Sequence, residues 1–219
     1  YDGTFNVLAG HSSVGKSAMW TTIAMALAYR GRKILIISNE QKKKVFQDGF
    51  LVFILYKYFR YYDITKKKIR NASLSDKDKE MRKKAQEYWR KNYKDKIKFI
   101  SIADADMKLV KKKIRENVLS YGFDTVIYDT MKLDFDDTNN NQTWVSLIKD
   151  SREFDKIAKK YNIIMLASLQ LAMNSKGKLF LDGSELSMSK QSIEVMETLL
   201  LMRSVYTEEV TKDNKKFYC

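Results

Sequence analysis

The sequence predicts an α/β fold with a mostly parallel central sheet flanked by helices. Three observations carry that prediction. Gly10-His11-Ser12-Ser13-Val14-Gly15-Lys16-Ser17 is a complete G-x-x-x-x-G-K-[ST] phosphate-binding loop, set between an apolar strand and a helix-forming run. Beyond it, short apolar strands alternate with helical stretches. Several strands close on polar residues, and open α/β sheets bind ligands at those carboxyl ends.

The elements follow in order. Phe5 to Ala9 is the first strand, and Ser17 to Tyr29 the first helix, with Gly31 as its C′ residue. Lys33 to Ser38 reads as a buried strand. A long aromatic-rich helix is expected over about Lys42 to Tyr62, and Ser75 is the expected N-cap of a charged helix carrying Met81, Ala85, Tyr88 and Trp89. Ile97 to Ile102 is a short strand, and Met107, Val110, Ile114, Val118 and Tyr121 share one helical face. Asp124 to Asp129 is a strand ending in a carboxylate. Leu133 to Thr143 is polar and acidic, hence a loop. Trp144, Leu147, Ile148, Phe154, Ile157 and Tyr161 mark a further helix, Ile163 to Ser168 a strand, Leu171 to Gly183 a loop, and Leu199 to Met202 the beginning of a further strand.

Composition narrows the function classes. The chain has 219 residues and 44% hydrophobic content, enough for one sizeable core. Lys and Arg number 41 against 27 Asp and Glu, a net charge of +14 that favours a polyanionic partner, chiefly nucleic acid. Runs such as Lys42 to Lys44, Lys66 to Lys68 and Lys111 to Lys113 read equally well as solvated helix faces. The one cysteine, Cys219, excludes a disulfide framework and fits a reducing cytoplasm. The apolar stretch Phe50 to Phe59 is short and broken by Lys57, so no membrane span is expected. Tyr1 is not an initiator residue, and the chain is expected to be a single domain, residues 1–219, cut from a longer protein.

The phosphate loop implies a bound nucleoside triphosphate. Gly10 and Gly15 let the backbone turn so that N–H groups of His11, Ser12, Ser13 and Val14 face the phosphates. The helix starting near Lys16 adds its positive end. Lys16 would reach the β- and γ-phosphates, and Ser17 would offer its hydroxyl to Mg²⁺. His11 occupies a variable position and reads as loop filler. Asp129, closing its strand, suits a carboxylate that holds Mg²⁺ through water. Glu40, just past the second strand, could polarise an attacking water. Gln170 could contact the γ-phosphate. Thr130 follows Asp129 where NTPases of the loader, clamp and transporter kinds usually place the water-activating glutamate, which leaves Glu40 as the best-placed base candidate.

This order of phosphate loop, Glu40, Asp129 and Gln170 resembles the RecA-like superfamily, and within it the ATPase domain of DnaB-type replicative helicases of phage or plasmid kind. Ile34-Leu35-Ile36-Ile37-Ser38-Asn39-Glu40-Gln41 resembles that family's strand ending in Ser-x-Glu. Val126-Ile127-Tyr128-Asp129 resembles its Walker B strand, and Ile69 to Asp78 the link between two helices. Ile163 to Leu171 resembles its Ser-Gln-Leu strand with one extra residue, and Leu186 to Glu194 the segment before the last core strand. The resemblance implies an ATP- and Mg²⁺-dependent helicase motor, with Glu40, Lys16 and Gln170 as catalytic residues. It implies a homo-hexameric ring, single-stranded DNA in its channel, and a primase and a loader as further partners. The loops at Asp134 to Asn141 and Ser175 to Ser187 would face DNA, with Lys176 and Lys178 as backbone contacts. The chain departs from the pattern in two places. Ala172-Met173 stand where an arginine usually follows Gln-Leu, and the arginine-finger role is not assigned to Arg203 or Lys212. The N-terminal domain and the arginine-finger region are expected outside this chain. Two alternatives stay open: another RecA-like ATPase (a recombinase or a KaiC-like protein), or a nucleotide-gated assembly module with little turnover.

Overall fold

The structure, a computed structural model, describes residues 2–102, 106–131, 140–171, 181 and 193–205, without the side chains of 140–144. Among the described residues twelve elements run in the order β1 (Phe5–Gly10), α1 (Lys16–Tyr29), β2 (Ile34–Ser38), α2 (Lys43–Phe59), α3 (Lys66–Arg70), α4 (Asp76–Asn92), β3 (Ile97–Ser101), α5 (Met107–Tyr121), β4 (Thr125–Met131), α6 (Asn140–Tyr161), β5 (Ile164–Gln170) and β6 (Thr198–Met202). The six strands form one sheet in the order β3-β2-β4-β5-β1-β6, with every pairing parallel.

The four inner strands β1, β2, β4 and β5 are buried on both sides because helices cover both faces of the sheet, whereas the edge strands β3 and β6 are only partly buried. Side chains alternate between faces along a strand, so β2 splits its run: Leu35 and Ile37 join one core cluster, Ile34 and Ile36 the other. Val110 and Ile114 of α5 and Phe154 and Ala158 of α6 complete the first cluster. Trp20, Ala24 and Met25 of α1 and Phe46, Phe50 and Ile54 of α2 complete the second.

The helix ends follow local chemistry. Gly31 (φ 95°) and Gly122 (φ 67°) adopt the left-handed backbone that closes α1 and α5. Ser75 caps α4 in a reciprocal box with Asp78: the Asp78 N–H donates to Ser75 Oγ at 3.2 Å, and the Ser75 N–H donates to Asp78 Oδ2 at 3.0 Å.

Three expectations are corrected. The long helix stops at Phe59, not Tyr62, because Arg60 turns left-handed (φ 51°) and the Tyr61 N–H returns to Leu55 O at 3.0 Å. The link beginning at Ile69 contains the end of a short helix, α3, anchored by buried Ile69 and capped by Thr65. The segment Leu133 to Thr143 is not all loop, since α6 already begins at Asn140. Its residues 133–139 lie outside the described residues, as do Lys176, Lys178 and nearly all of the loop that carries them.

Candidate active site

The site forms where alternation along four neighbouring strands brings their polar ends to one face. Leu8, Ile36, Ile127 and Leu166 point into the core cluster beneath α1. Two residues further along each strand come Gly10, Ser38, Asp129 and Ser168, on the same face by the period-two rule. Register agrees, with Ser38 opposite Asp129 and Gly10 opposite Gln170. The N-terminus of α1, which carries Lys16 and Ser17, lies over that edge.

The phosphate loop needs its glycines. Gly15 sits at φ 105° immediately before α1. A Cβ on Gly10 would lie 2.6 Å from the Met202 carbonyl oxygen and 2.9 Å from Val14 Cγ2, so only glycine fits against β6. Lys16 is nearly buried, and its ammonium donates to Gly10 O at 2.7 Å and His11 O at 2.8 Å. Burial holds this amine below its ordinary value of 10.5, with Glu40 and Asp129 partly opposing that effect.

Asp129 is 1% exposed and held from two sides. Ser17 Oγ donates to its Oδ2 at 2.9 Å, and Ser168 Oγ donates to its Oδ1 in a short contact. The β4–β5 register slips here: Tyr128 faces Ala167 but Met131 faces Leu169, so Asp129 and Thr130 together oppose Ser168. Such a bulge re-aims a side chain at a strand end. Thr130 Oγ1 donates to Ser168 O at 2.9 Å, which closes the bulge from the β4 side.

Asn39 holds the other edge of the bulge. Its Oδ1 accepts from the Thr130 N–H at 2.8 Å, its Nδ2 donates to Thr130 O at 2.9 Å, and its own N–H donates to Asp129 O at 3.0 Å. The next turn is fixed by the Gln41 N–H donating to Ser38 Oγ at 2.9 Å, which leaves Glu40 exposed at the tip.

These groups surround one cleft of about 290 Å³. Of the sequence-predicted residues, Ser12, Ser13, Gly15, Lys16, Ser17, Glu40, Asp129 and Gln170 line it. Gly10, His11 and Val14 stand behind the wall and shape the loop. Gln170 is the last residue of β5 rather than a loop residue, so the extra residue in its motif is simply one more strand position. Sequence reasoning missed Asn39, Ser168 and Thr130, which position Asp129, and Lys66 and Arg70 of α3, which also line the cleft. A polar residue directly after a buried strand was a usable signal for Asn39. The lysine run concealed Lys66: Lys67 and Lys68 are exposed, whereas Lys66 is half-buried.

A family model described as the DnaB-like helicase C terminal domain matches residues 1–209. Among solved structures, one described as an ATPase domain is 17% identical with a TM-score of 0.78, over 99% of this chain and 74% of that one. Another, described as a DnaB-like replicative helicase and its interactions with primase, is 18% identical with a TM-score of 0.76, over 98% of this chain and 49% of that one. The chain thus spans about three quarters of the first and about half of the second. No curated protein sequence matches it. At these identities the structural likeness establishes the RecA-like fold, and the sequence match establishes kinship. The chain belongs to the DnaB-like helicase C-terminal domain family, whose members are ATP-hydrolysing DNA helicases.

Proposed function

We propose that this chain is the ATP-hydrolysing motor of a replicative DNA helicase and that its chemistry takes place in the cleft between the phosphate loop and Asp129. The observation that carries this reading is the 2.9 Å contact from Ser17 Oγ to Asp129 Oδ2, which joins residues 112 positions apart. The loop from Gly10 to Ser17 would cradle the triphosphate, with Lys16 against the β- and γ-phosphates. Ser17 and Asp129 are the residues that would hold Mg²⁺. Both offer hard oxygens, and no cluster of three or more His, Cys, Asp or Glu forms among the described residues. So sparse a protein shell suits an ion that keeps most of its waters and takes phosphate oxygens as ligands. When bound, the ion offsets negative charge on the β- and γ-phosphoryl oxygens.

Glu40 would orient the attacking water and accept its proton. The water oxygen bonds to the γ-phosphorus as the bond to the β–γ bridging oxygen breaks, and ADP leaves with that electron pair. Gln170 would contact the γ-phosphate at the start of the following loop. An arginine from a neighbouring subunit would complete the site.

The family argues for a homo-hexameric ring with single-stranded DNA in its channel, gripped mainly through phosphates. Lys176 and Lys178 are our candidates for that grip. The similar structure described with primase makes a primase contact the first partner to test for the parent protein, with a loader as the second. No helix among the described residues is long and apolar enough to cross a membrane, and we infer a cytoplasmic location.

The test is steady-state ATP turnover with and without oligo(dT). We expect stimulation by single strands, and we expect Glu40→Gln to bind ATP while losing at least about a hundredfold in kcat, the usual worth of a general base. Unchanged turnover in Glu40→Gln would remove Glu40 as the base. Binding without turnover in the intact parent would leave the assembly-module alternative standing.

A further inference from the structure

Helix α2 passes beside the cleft, and at its buried position 49 it carries a glycine. Mid-helix glycine is unfavourable by about 1 kcal/mol relative to alanine, so its presence needs a spatial reason. The structure supplies one. A Cβ on Gly49 would lie 2.9 Å from Lys66 Nζ, 3.0 Å from Lys66 Cε and 3.0 Å from Thr21 Cγ2. The end of the Lys66 side chain therefore occupies the space that a side chain at position 49 would fill. Thr21 lies one turn along α1 from Ser17, whose carbonyl accepts from Thr21 Oγ1 at 2.8 Å. This places the Lys66 ammonium beside the first turns of α1, in the cleft that also contains Lys16, Glu40 and Asp129.

We propose that Lys66 is the second lysine of the phosphate site: reaching through the gap at Gly49, it contacts the terminal phosphate of a bound nucleoside triphosphate, and Arg70 adds charge at the rim.

Three observations support this assignment, which rests on the nucleotide reading of the cleft. Lys66 is half-buried while its neighbours Lys67 and Lys68 are exposed, so it is not part of a solvated face. Among the described residues no carboxylate lies within ion-pair distance of its ammonium; Asp48 attracts it only from further off, and Arg70 repels it. Burial and Arg70 both disfavour its charged form, a cost that a bound polyanion would offset. Glu40, the residue that would hold the attacking water, lines the same cleft, so the end of the ligand that we assign to Lys66 is the reacting one.

The role separates triphosphate from diphosphate. The experiment measures calorimetric binding of AMP-PNP and of ADP, each with Mg²⁺, to the 219-residue chain and its variants, alongside thermal melts. Lys66→Met is expected to weaken AMP-PNP by about tenfold or more, as for the loss of a charge-assisted hydrogen bond, and ADP by no more than about twofold. Lys66→Arg should keep most of the preference. Gly49→Ala should lose the same preference; its melt, read alongside, reports the balance between the helix gain from alanine and the 3.0 Å approach of the new methyl to Thr21 Cγ2, which unlike the end of Lys66 cannot swing away. Equal losses for both nucleotides, or none, in Lys66→Met would overturn the assignment while leaving the cleft reading intact. If Lys66→Met fails to fold, a Gly49→Ala protein with undiminished preference overturns it. A wild type that binds neither nucleotide, judged against a Lys16→Ala control, defeats the cleft reading and this one with it.

Discussion

Replacing Asn39 with alanine should loosen the strand that carries Asp129. Asn39 is the only side chain among the described residues that bonds both the N–H and the carbonyl of Thr130, at 2.8 and 2.9 Å. Thr130 is 1% exposed, so water has little access to those groups once the amide is gone. Each neutral hydrogen bond contributes about 1 kcal/mol net, and a stranded buried polar group adds desolvation cost, so we expect a total of about 2–3 kcal/mol. In a chain of this size that lowers Tm by about 4–12 °C. The same loss frees the bulge that aims Asp129 at Ser17, so affinity for Mg²⁺–ATP should fall as well. Urea unfolding followed by circular dichroism gives the stability change, and calorimetry gives the affinity. Asn39→Asp is the informative partner. It keeps the acceptor for the Thr130 N–H, loses the donor to Thr130 O, and adds charge beside Glu40. If Asn39→Ala melts within about 1 °C of the wild type and binds nucleotide equally well, the bulge is held by β5 alone and the reasoning fails.

Gly10→Ala should be worse than an ordinary loop substitution. Its methyl would meet a backbone oxygen at 2.6 Å, where contact becomes ordinary only near 3.4 Å, so β6 must move; overpacking of this kind costs about 1–3 kcal/mol, and a urea titration with a nucleotide-binding assay should show both stability and affinity falling. The cap of α4 offers a contrast away from the cleft: Ser75→Ala should cost about 1 kcal/mol in urea unfolding and leave ATP affinity unchanged. Its partner Asp78 has a pH signature. The Tyr61 hydroxyl, donating at 2.6 Å, and then the Ser75 N–H hold the Asp78 carboxyl below its ordinary 3.8. A depressed folded pKa gives stability that is complete above 3.8 and is lost as pH falls through the folded value. Urea midpoints measured from about pH 6 down to about pH 2 should show Asp78→Asn with a shallower acid limb than the wild type; an identical limb would refute the linkage.

The legible parts of this site were those where a polar residue interrupts a pattern. Asp129 ends an apolar strand, Glu40 follows one, and Gln170 closes another, so alternation and strand-end placement exposed all three. The glycines of the phosphate loop were legible for a different reason, because their spacing is itself the geometry. What stayed hidden depends on atoms far apart in sequence. The two-against-one bulge at Asp129 and Thr130 exists only relative to β5, and Asn39 matters only because that bulge leaves the Thr130 main chain unpaired. Helix α3 is too short to show a period. Its Ile69 is buried and its Lys66 faces the cleft, yet the local string is a lysine run that charge alone reads as solvent-facing. Part of that reading holds elsewhere: Lys111 pairs with Glu153 at 2.8 Å and Lys113 with Glu116 at 3.1 Å, both at the surface. The start of α6 at Asn140 was hidden because polar residues fill its first turn, and composition cannot distinguish a polar helix end from a loop.

The register of β5 bears on how a bound phosphate could influence DNA contacts. Gln170 lies opposite Gly10, and the next residue, Leu171, donates its N–H to Gly10 O at 3.2 Å. That same oxygen accepts from Lys16 Nζ at 2.7 Å. The lysine expected on the β- and γ-phosphates and the first residue after β5 therefore share one acceptor. Any shift of Lys16 toward a ligand changes the hydrogen bonding at the root of the segment that carries Lys176 and Lys178. No long relay is needed, because one carbonyl serves both sides, and β6 fixes it from behind through the close approach of Met202 to Gly10. A coupling this short predicts that the effect of single strands on turnover should be more sensitive to changes at Gly10 and Gln170 than to changes at Glu40, which has no hydrogen bond in common with that root among the described residues. Comparing the ratio of DNA-stimulated to basal turnover in Gln170→Ala and in Glu40→Asp distinguishes the two. A ratio that collapses in Glu40→Asp and survives in Gln170→Ala would place the coupling on the β2 side of the sheet instead.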